Sequence, residues 1–125
     1  MKKFFLLVIP GLMLVSFRSF SSDDIINALK QGKAEQFTQY FDTILDVKLP
    51  DKGEMKNAGK NQASITLKNF FEENTIKGFD VTSQRELGGT MYLTGKLQGA
   101  NKSYNLTLMI KSKGDKSAII TIRIN

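Results

Sequence analysis

Apolar residues in the first half of the chain recur at helical spacing, which predicts three helices. The first follows a capping serine, Ser21 or Ser22, and ends at Gly32. The second covers residues 33–41 and the third residues 62–74, with Asn61 as its N-cap. Their apolar faces, in chain order, are Ile25, Ile26 and Leu29; Phe37, Tyr40 and Phe41; and Ile65, Leu67, Phe70 and Phe71.

The remaining segments alternate apolar and polar residues between turn sequences, which predicts strands. A short strand covers residues 44–49 and is closed by the turn 50–53. Four more strands follow at 79–87, 91–98, 104–111 and 118–124, separated by turns at 88–89, 99–102 and 113–115. On the last strand, one face is expected to hold Ala118, Ile120, Ile122 and Ile124.

Helices that precede strands indicate an α+β protein. We predict an N-terminal helical hairpin and a third helix packed on a curved antiparallel sheet. The sheet would consist of a four-stranded C-terminal meander plus the short N-terminal strand.

The first 21 residues have the pattern of an export signal. Lys2 and Lys3 precede an apolar stretch at 4–17, and small residues at 19 and 21 precede the expected cut. We predict cleavage after Ser21, which leaves a single domain of residues 22–125 in the periplasm or outside the cell. The alternative is a retained membrane anchor, but a spanning helix needs about 20 apolar residues. We therefore expect no stable membrane insertion after cleavage.

The amino-acid composition excludes several kinds of catalytic and metal-binding site. The chain has no cysteine and no histidine, which excludes disulfides, thiol nucleophiles, histidine bases and the usual zinc sites. We expect no metal and no cofactor. The formal charge of +6 includes three bases of the export segment, and the other bases are scattered along the chain. Because nucleic-acid binding requires a clustered basic footprint, we expect none.

Several segments resemble a family of small exported bacterial proteins: Ile25–Lys30, Gly32–Glu35, Tyr40–Asp42, Gln62-Ala63 with Leu67–Phe71, Tyr92-x-x-Gly95 and Ile120–Ile124. That family is known chiefly as a domain of unknown function with the nuclear-transport-factor-2-like, cystatin-like fold. The resemblance covers residues 22–125 and implies a cone-shaped sheet wrapped by the helices, with the strand at 44–49 beside the final strand. Residues 50–61 depart from the family pattern, so no second short strand is expected there.

The resemblance implies more than one function, because the fold hosts binders, isomerases and dehydratases. A pocket enzyme of isomerase or dehydratase type would pair a carboxylate with a tyrosine, for which Tyr40 and Asp42 are weak candidates. Arg85 would bind an anion if its side of the strand points inward. In the alternative interpretation, Tyr40 packs its ring at the rim of the domain and Asp42 begins a turn.

Two sets of residues are candidates for binding. A slot for a small apolar ligand, or simply the core, would be lined by Phe37, Phe41, Phe70, Phe71 and Leu93. The opposite side of the sheet would present a partner face, or a homodimer interface, with Tyr92, Thr94, Thr107 and Met109, joined by Ile119 and Thr121. We therefore expect a non-enzymatic exported module that binds a small apolar ligand or a protein partner in the cell envelope. The alternative is the pocket enzyme.

Overall fold

The computed structural model describes residues 22–113 and 116–125. The predicted export segment and the centre of the turn at 113–115 lie outside these residues. In chain order the elements are α1 (Asp23–Lys30), α2 (Ala34–Thr38), β1 (Phe41–Lys48), β2 (Met55–Gly59), α3 (Lys60–Glu73), β3 (Gly78–Leu87), β4 (Thr90–Gln98), β5 (Ser103–Lys113) and β6 (Lys116–Ile124). The α+β class predicted from the order of helices and strands is confirmed.

The strands form one mixed sheet in the order β2-β1-β6-β5-β4-β3. Strands β3 to β6 are the predicted antiparallel meander, and β1 lies beside β6, with which it pairs in parallel. The expectation of no strand at 50–61 was wrong, because β2 pairs antiparallel with β1. The backbone N–H of Asn57 also donates to Asp46 Oδ1 at 2.8 Å. These bonds come from the neighbouring strand, so the polar sequence of the segment did not indicate them.

The turn between α1 and α2 is closed by main-chain hydrogen bonds. Lys33 N donates to Ala28 O and Gly32 N to Leu29 O, both at 3.0 Å, which is the Schellman pattern of a helix C-terminus. Gly32 has the left-handed φ of +67° that this pattern requires, as predicted. At the other end of α1, Ser22 stands at the N-cap position but makes no capping bond; its hydroxyl donates instead to Gln84 Oε1 at 3.1 Å.

Helices α2 and α3 differ from their predicted bounds. α2 ends at Thr38, because Ile119 N donates to Tyr40 O at 2.7 Å and joins the chain to β6 from that residue. α3 begins at Lys60 with Gly59 as its N-cap, so Asn61 lies inside the helix and does not cap it. The buried stripe of α3 is Ala63, Leu67, Phe70 and Phe71, and Ile65, placed on this stripe by sequence, is 60% exposed.

The core lies between the helices and one side of the sheet, the inner face. On this side lie all residues of β4 to β6 that the structure describes as buried: Leu93, Gly95, Leu97, Tyr104, Leu106, Leu108, Ile110, Ile119, Ile122 and Ile124. Aromatic rings fill the space beneath the helices: the Phe37 ring centroid is 5.3 Å from that of Phe41 and 5.9 Å from that of Phe71. Phe70 packs edge-on against Tyr104, whose hydroxyl donates to Asn74 Oδ1 at 2.8 Å.

Irregularities in pairing change which side chains face the core. The register between β5 and β6 shifts so that Ile110 pairs with Ile119 and Met109 with Thr121. Ile119 is therefore fully buried, and Ile120 is only half-buried. The predicted face of Ala118, Ile120, Ile122 and Ile124 is wrong in its first half, and so is the placement of Ile119 on the partner face.

Candidate functional site

The five candidate pocket residues are all core residues in this structure. Phe37 and Leu93 are fully buried, and Phe41, Phe70 and Phe71 are at most 8% exposed. Their rings contact one another and the inner face of the sheet, so side chains fill the space that these residues surround. That they line a ligand slot stays a prediction.

A surface groove of about 730 Å³ runs between the α1–α2 turn and the C-terminal half of α3. It is open to solvent, and Lys68 Nζ is 4.0 Å from Glu35 Oε2 within it. Phe71 contributes to its wall, next to Ile76. The groove is thus a mixed polar and apolar surface, outside the aromatic centre of the domain.

Of the candidate catalytic residues, Tyr40 and Asp42 lie together at the start of β1, and Arg85 lies far from both. Tyr40 is half-buried just before β1, and Asp42, also half-buried, accepts a hydrogen bond at Oδ1 from Thr43 N at 2.8 Å. Arg85 is exposed on β3, the edge strand four positions away from β1 in the sheet. Four strand spacings are about 19 Å, so Arg85 and Asp42 do not converge on one substrate.

Arg85 does not point inward, so the condition set for an anion-binding role is not met. A bulge lies between Val81 and Ser83, where Val81 pairs with Gly95 but Ser83 pairs with Thr94. The extra residue reverses the alternation beyond it, which places Arg85 opposite Tyr92 on the side away from the helices. Gln84 takes the inward position and accepts the hydrogen bond from Ser22.

The described ranges contain no cluster of three or more acidic side chains that is placed to hold a metal ion. Within the same ranges, no helix is both long and apolar enough to cross a membrane.

The four partner-face candidates come together on the side of the sheet away from the helices. We call this side the outer face and define it as the outward positions of β1 and β3 to β6. At its centre, Tyr92 pairs with Met109 and Thr94 with Thr107 on the neighbouring strand. Thr121 extends the first row, beside Met109. All five are half-buried by one another and by neighbouring side chains of the same face.

Basic side chains surround this centre, a feature that the sequence interpretation missed. Among the residues whose side chains the structure describes, strand pairing places six bases at outward positions: Lys48, Arg85, Lys96, Lys111, Lys116 and Arg123. Four acids accompany them: Asp42, Asp46 and Asp80 at outward positions and Glu54, whose Oε2 is 3.7 Å from Arg123 Nη1. The bases are scattered in the sequence and come together only through the register of the strands. The one signal in the sequence that could have located them was the alternation of inward and outward positions along each strand.

A helical hairpin and a third helix on the inner face of a curved, mostly antiparallel sheet define the nuclear-transport-factor-2-like class of folds. Residues 22–125 match the model of the family described as "Domain of unknown function (DUF4783)". The chain belongs to this family, as the sequence resemblance indicated.

Solved structures of relatives support the fold. A DUF4783 family protein from Bacteroides ovatus is 21% identical and aligns over 86% of this chain and 94% of its own, with a TM-score of 0.76. One from Bacteroides uniformis is 24% identical over 85% of this chain and 96% of its own, with a TM-score of 0.77. A nuclear-transport-factor-2-like protein of unknown function from Shewanella oneidensis is 13% identical, covers 93% and 98%, and has a TM-score of 0.60. No curated protein matches the chain.

Proposed function

We propose that this protein is a non-enzymatic exported module that binds a protein partner in the cell envelope through the outer face. The observation that carries the proposal is the contiguous centre formed by Tyr92, Met109 and the threonines, which lies on the side of the sheet away from the helices. Aromatic and methionine side chains in a polar surround are typical of the centres of protein interfaces.

The size of the outer face supports this proposal. Five strands contribute to it, and at strand spacings of about 4.8 Å and about seven residues per strand they span about 24 by 24 Å. The corresponding flat area, near 600 Å², lies at the lower end of the range of about 600–1,000 Å² that each partner buries in a specific protein complex. The face is therefore large enough for a specific complex.

The interior gives less support to the binding of a small apolar ligand or to the pocket enzyme. The aromatic side chains that would line a slot pack against one another. Arg85 lies four strands away from Tyr40 and Asp42, which are at the start of β1. A general base must lie within hydrogen-bond reach of the proton it takes, together with the groups that steady the developing charge. Partner binding through the outer face requires none of this convergence.

Site-specific photo-crosslinking in the cells that make the protein tests the proposed function. A photoreactive phenylalanine analogue at position 92 should give one discrete adduct with another protein in the envelope fraction. The matched control is the same analogue at Ile65, which is 60% exposed on α3, away from the outer face. Absence of an adduct at position 92, or equal adducts at both positions, would overturn the proposal.

The export part of the proposal rests on the pattern of residues 1–21 and has its own test. Intact mass of the protein from the envelope fraction should correspond to a chain that begins at Ser22. A mass that still includes residues 1–17 would contradict cleavage and favour a retained anchor.

A further inference from the structure

The outer face carries an excess of positive charge. Residues 22–125 contain fifteen bases and twelve acids, a formal charge of +3. Among the residues whose side chains the structure describes, six bases and four acids belong to the outer face or lie beside it, an excess of two positive charges.

The bases form a rim around the apolar and hydroxyl centre. Arg85 is opposite Tyr92, Lys111 opposite Thr90 and Arg123 opposite Thr107. Lys96 lies between Asp80 on β3 and Asn105 on β5. Arg85, Lys96 and Lys111 are exposed and make no ion pair with any described residue. Their charges are available to a partner.

The acids of the face are engaged within the domain. Asp80 Oδ2 accepts a hydrogen bond from Gln98 Nε2 at 2.7 Å, and Asp46 Oδ1 accepts one from the backbone of Asn57. Glu54 pairs with Arg123. These acids therefore interact within the sheet. The net charge that the surface presents to a partner comes from the three bases without an ion pair, Arg85, Lys96 and Lys111.

We propose that the partner of the outer face is a protein with an acidic surface around an apolar patch. Its carboxylates would face the basic rim, and its apolar residues would pack on Tyr92 and Met109. Opposite charges at the rim of an interface accelerate encounter and select the partner, while the apolar centre supplies most of the binding energy. This inference rests on the proposed function, because it specifies the chemistry of the partner at the same site.

Two other occupants fit the charges less well. A second copy of this chain, docked face to face, would bring each basic rim against another basic rim, and opposed like charges weaken an interface. Single-stranded nucleic acid requires a series of aromatic platforms for its bases. Among the described outward positions, Tyr92 is the one aromatic residue.

Binding of model polymers to the full chain, as the cells process it, tests the inference. The probe is a fluorescein-labelled random copolymer of glutamate and tyrosine, with a lysine–tyrosine copolymer and a single-stranded DNA of equal charge as comparisons. Anisotropy should show that the glutamate–tyrosine probe binds best and that its affinity falls as salt is raised from 50 to 500 mM. Tighter binding of the DNA or of the lysine–tyrosine copolymer would overturn the proposal.

Charge-matched variants locate the binding surface. The outer-face variant combines Arg85→Gln, Lys96→Gln and Lys111→Gln and should bind the glutamate–tyrosine probe at least tenfold more weakly. The control variant removes three exposed bases away from that face: Lys30→Gln, Lys33→Gln and Lys77→Gln. It should lose less than twofold. Equal losses in the two variants would show attraction by overall charge and overturn the inference.

The failure of this inference is distinguishable from failure of the proposed function. If the photo-crosslink at position 92 persists in the outer-face variant with unchanged yield, a partner binds there but is not selected by acidic groups. If the crosslink is absent in the wild-type chain, the proposed function itself fails. Light scattering at high protein concentration adds the third outcome, since a stable dimer that the outer-face variant strengthens would identify a second copy as the occupant and overturn the inference.

Discussion

Gly32 illustrates how much one residue decides in this fold. Its φ of +67° lies in the left-handed region, where glycine alone is free of side-chain strain. A Cβ built there would stand 2.4 Å from the carbonyl oxygen of Ile76, a backbone atom that cannot turn aside. The glycine thus both ends α1 and lets the α1–α2 turn approach the segment before β3.

Gly32→Ala should lower the free energy of unfolding by about 2–4 kcal/mol, because backbone strain adds to the clash with Ile76. Urea denaturation followed by circular dichroism measures the change. Gly53→Ala is the control: a Cβ at Gly53 meets nothing within 4 Å, so that variant should stay within about 0.5 kcal/mol of the wild type. Equal effects at the two positions would contradict the tight approach at Gly32.

At the scale of elements, α3 shows where periodicity succeeds and where it misleads. Leu67 and Phe71 are four residues apart and both are buried against the rest of the core. Ile65 precedes Leu67 by two residues, which turns it about 200° around the helix axis and away from the sheet. Apolar character alone placed it on the buried side, whereas the helical spacing of its neighbours excludes it.

Truncation of these two residues should give clearly different results. Leu67→Ala removes a fully buried side chain and should destabilise the domain by about 2–5 kcal/mol. Ile65→Ala should change stability by less than about 0.5 kcal/mol, since the side chain is 60% exposed and alanine favours the helix. Thermal and urea unfolding of both variants measures the difference, and a large loss for Ile65→Ala would mean that α3 is rotated from the described position.

The β-bulges are the elements that sequence alternation could not reveal. The bulge between Val81 and Ser83 moves Arg85 from the side of Phe79 and Val81, which simple alternation gives it, to the outer face. The shift near Met109 buries Ile119 in place of Ile120. A single extra residue reverses every side chain beyond it. The sequence of one strand shows the alternation of apolar and polar residues. It does not show the neighbouring strand, and a bulge exists only in the pairing with that neighbour.

For the whole molecule, the described core is built entirely from residues between Ile25 and Ile124. Its members come from all three helices and from β1 to β6, so the elements are joined in one cluster. A single cluster of this kind favours cooperative, two-state unfolding in a domain of about 100 residues.

The chain made without residues 1–21 should therefore fold by itself and unfold in one transition. Far-ultraviolet circular dichroism and tyrosine fluorescence should give coincident urea curves with a single midpoint. As a control, the protein isolated from the cells that make it should have the same midpoint. Two separated transitions, or an unfolded chain at zero urea, would show that the single core is not sufficient.

The sequence by itself determined the α+β class, the family, the existence of the three helices and the meander, and the turns at Gly32 and Gly88-Gly89, where both latter glycines have positive φ. These follow from local causes, namely periodicity and the backbone freedom of glycine. Only the tertiary structure decided that β2 forms, that Arg85 faces outward and that dispersed bases surround Tyr92 and Met109. Each of these depends on which strand lies beside which and in what register, and that is fixed by hydrogen bonds between segments distant in sequence.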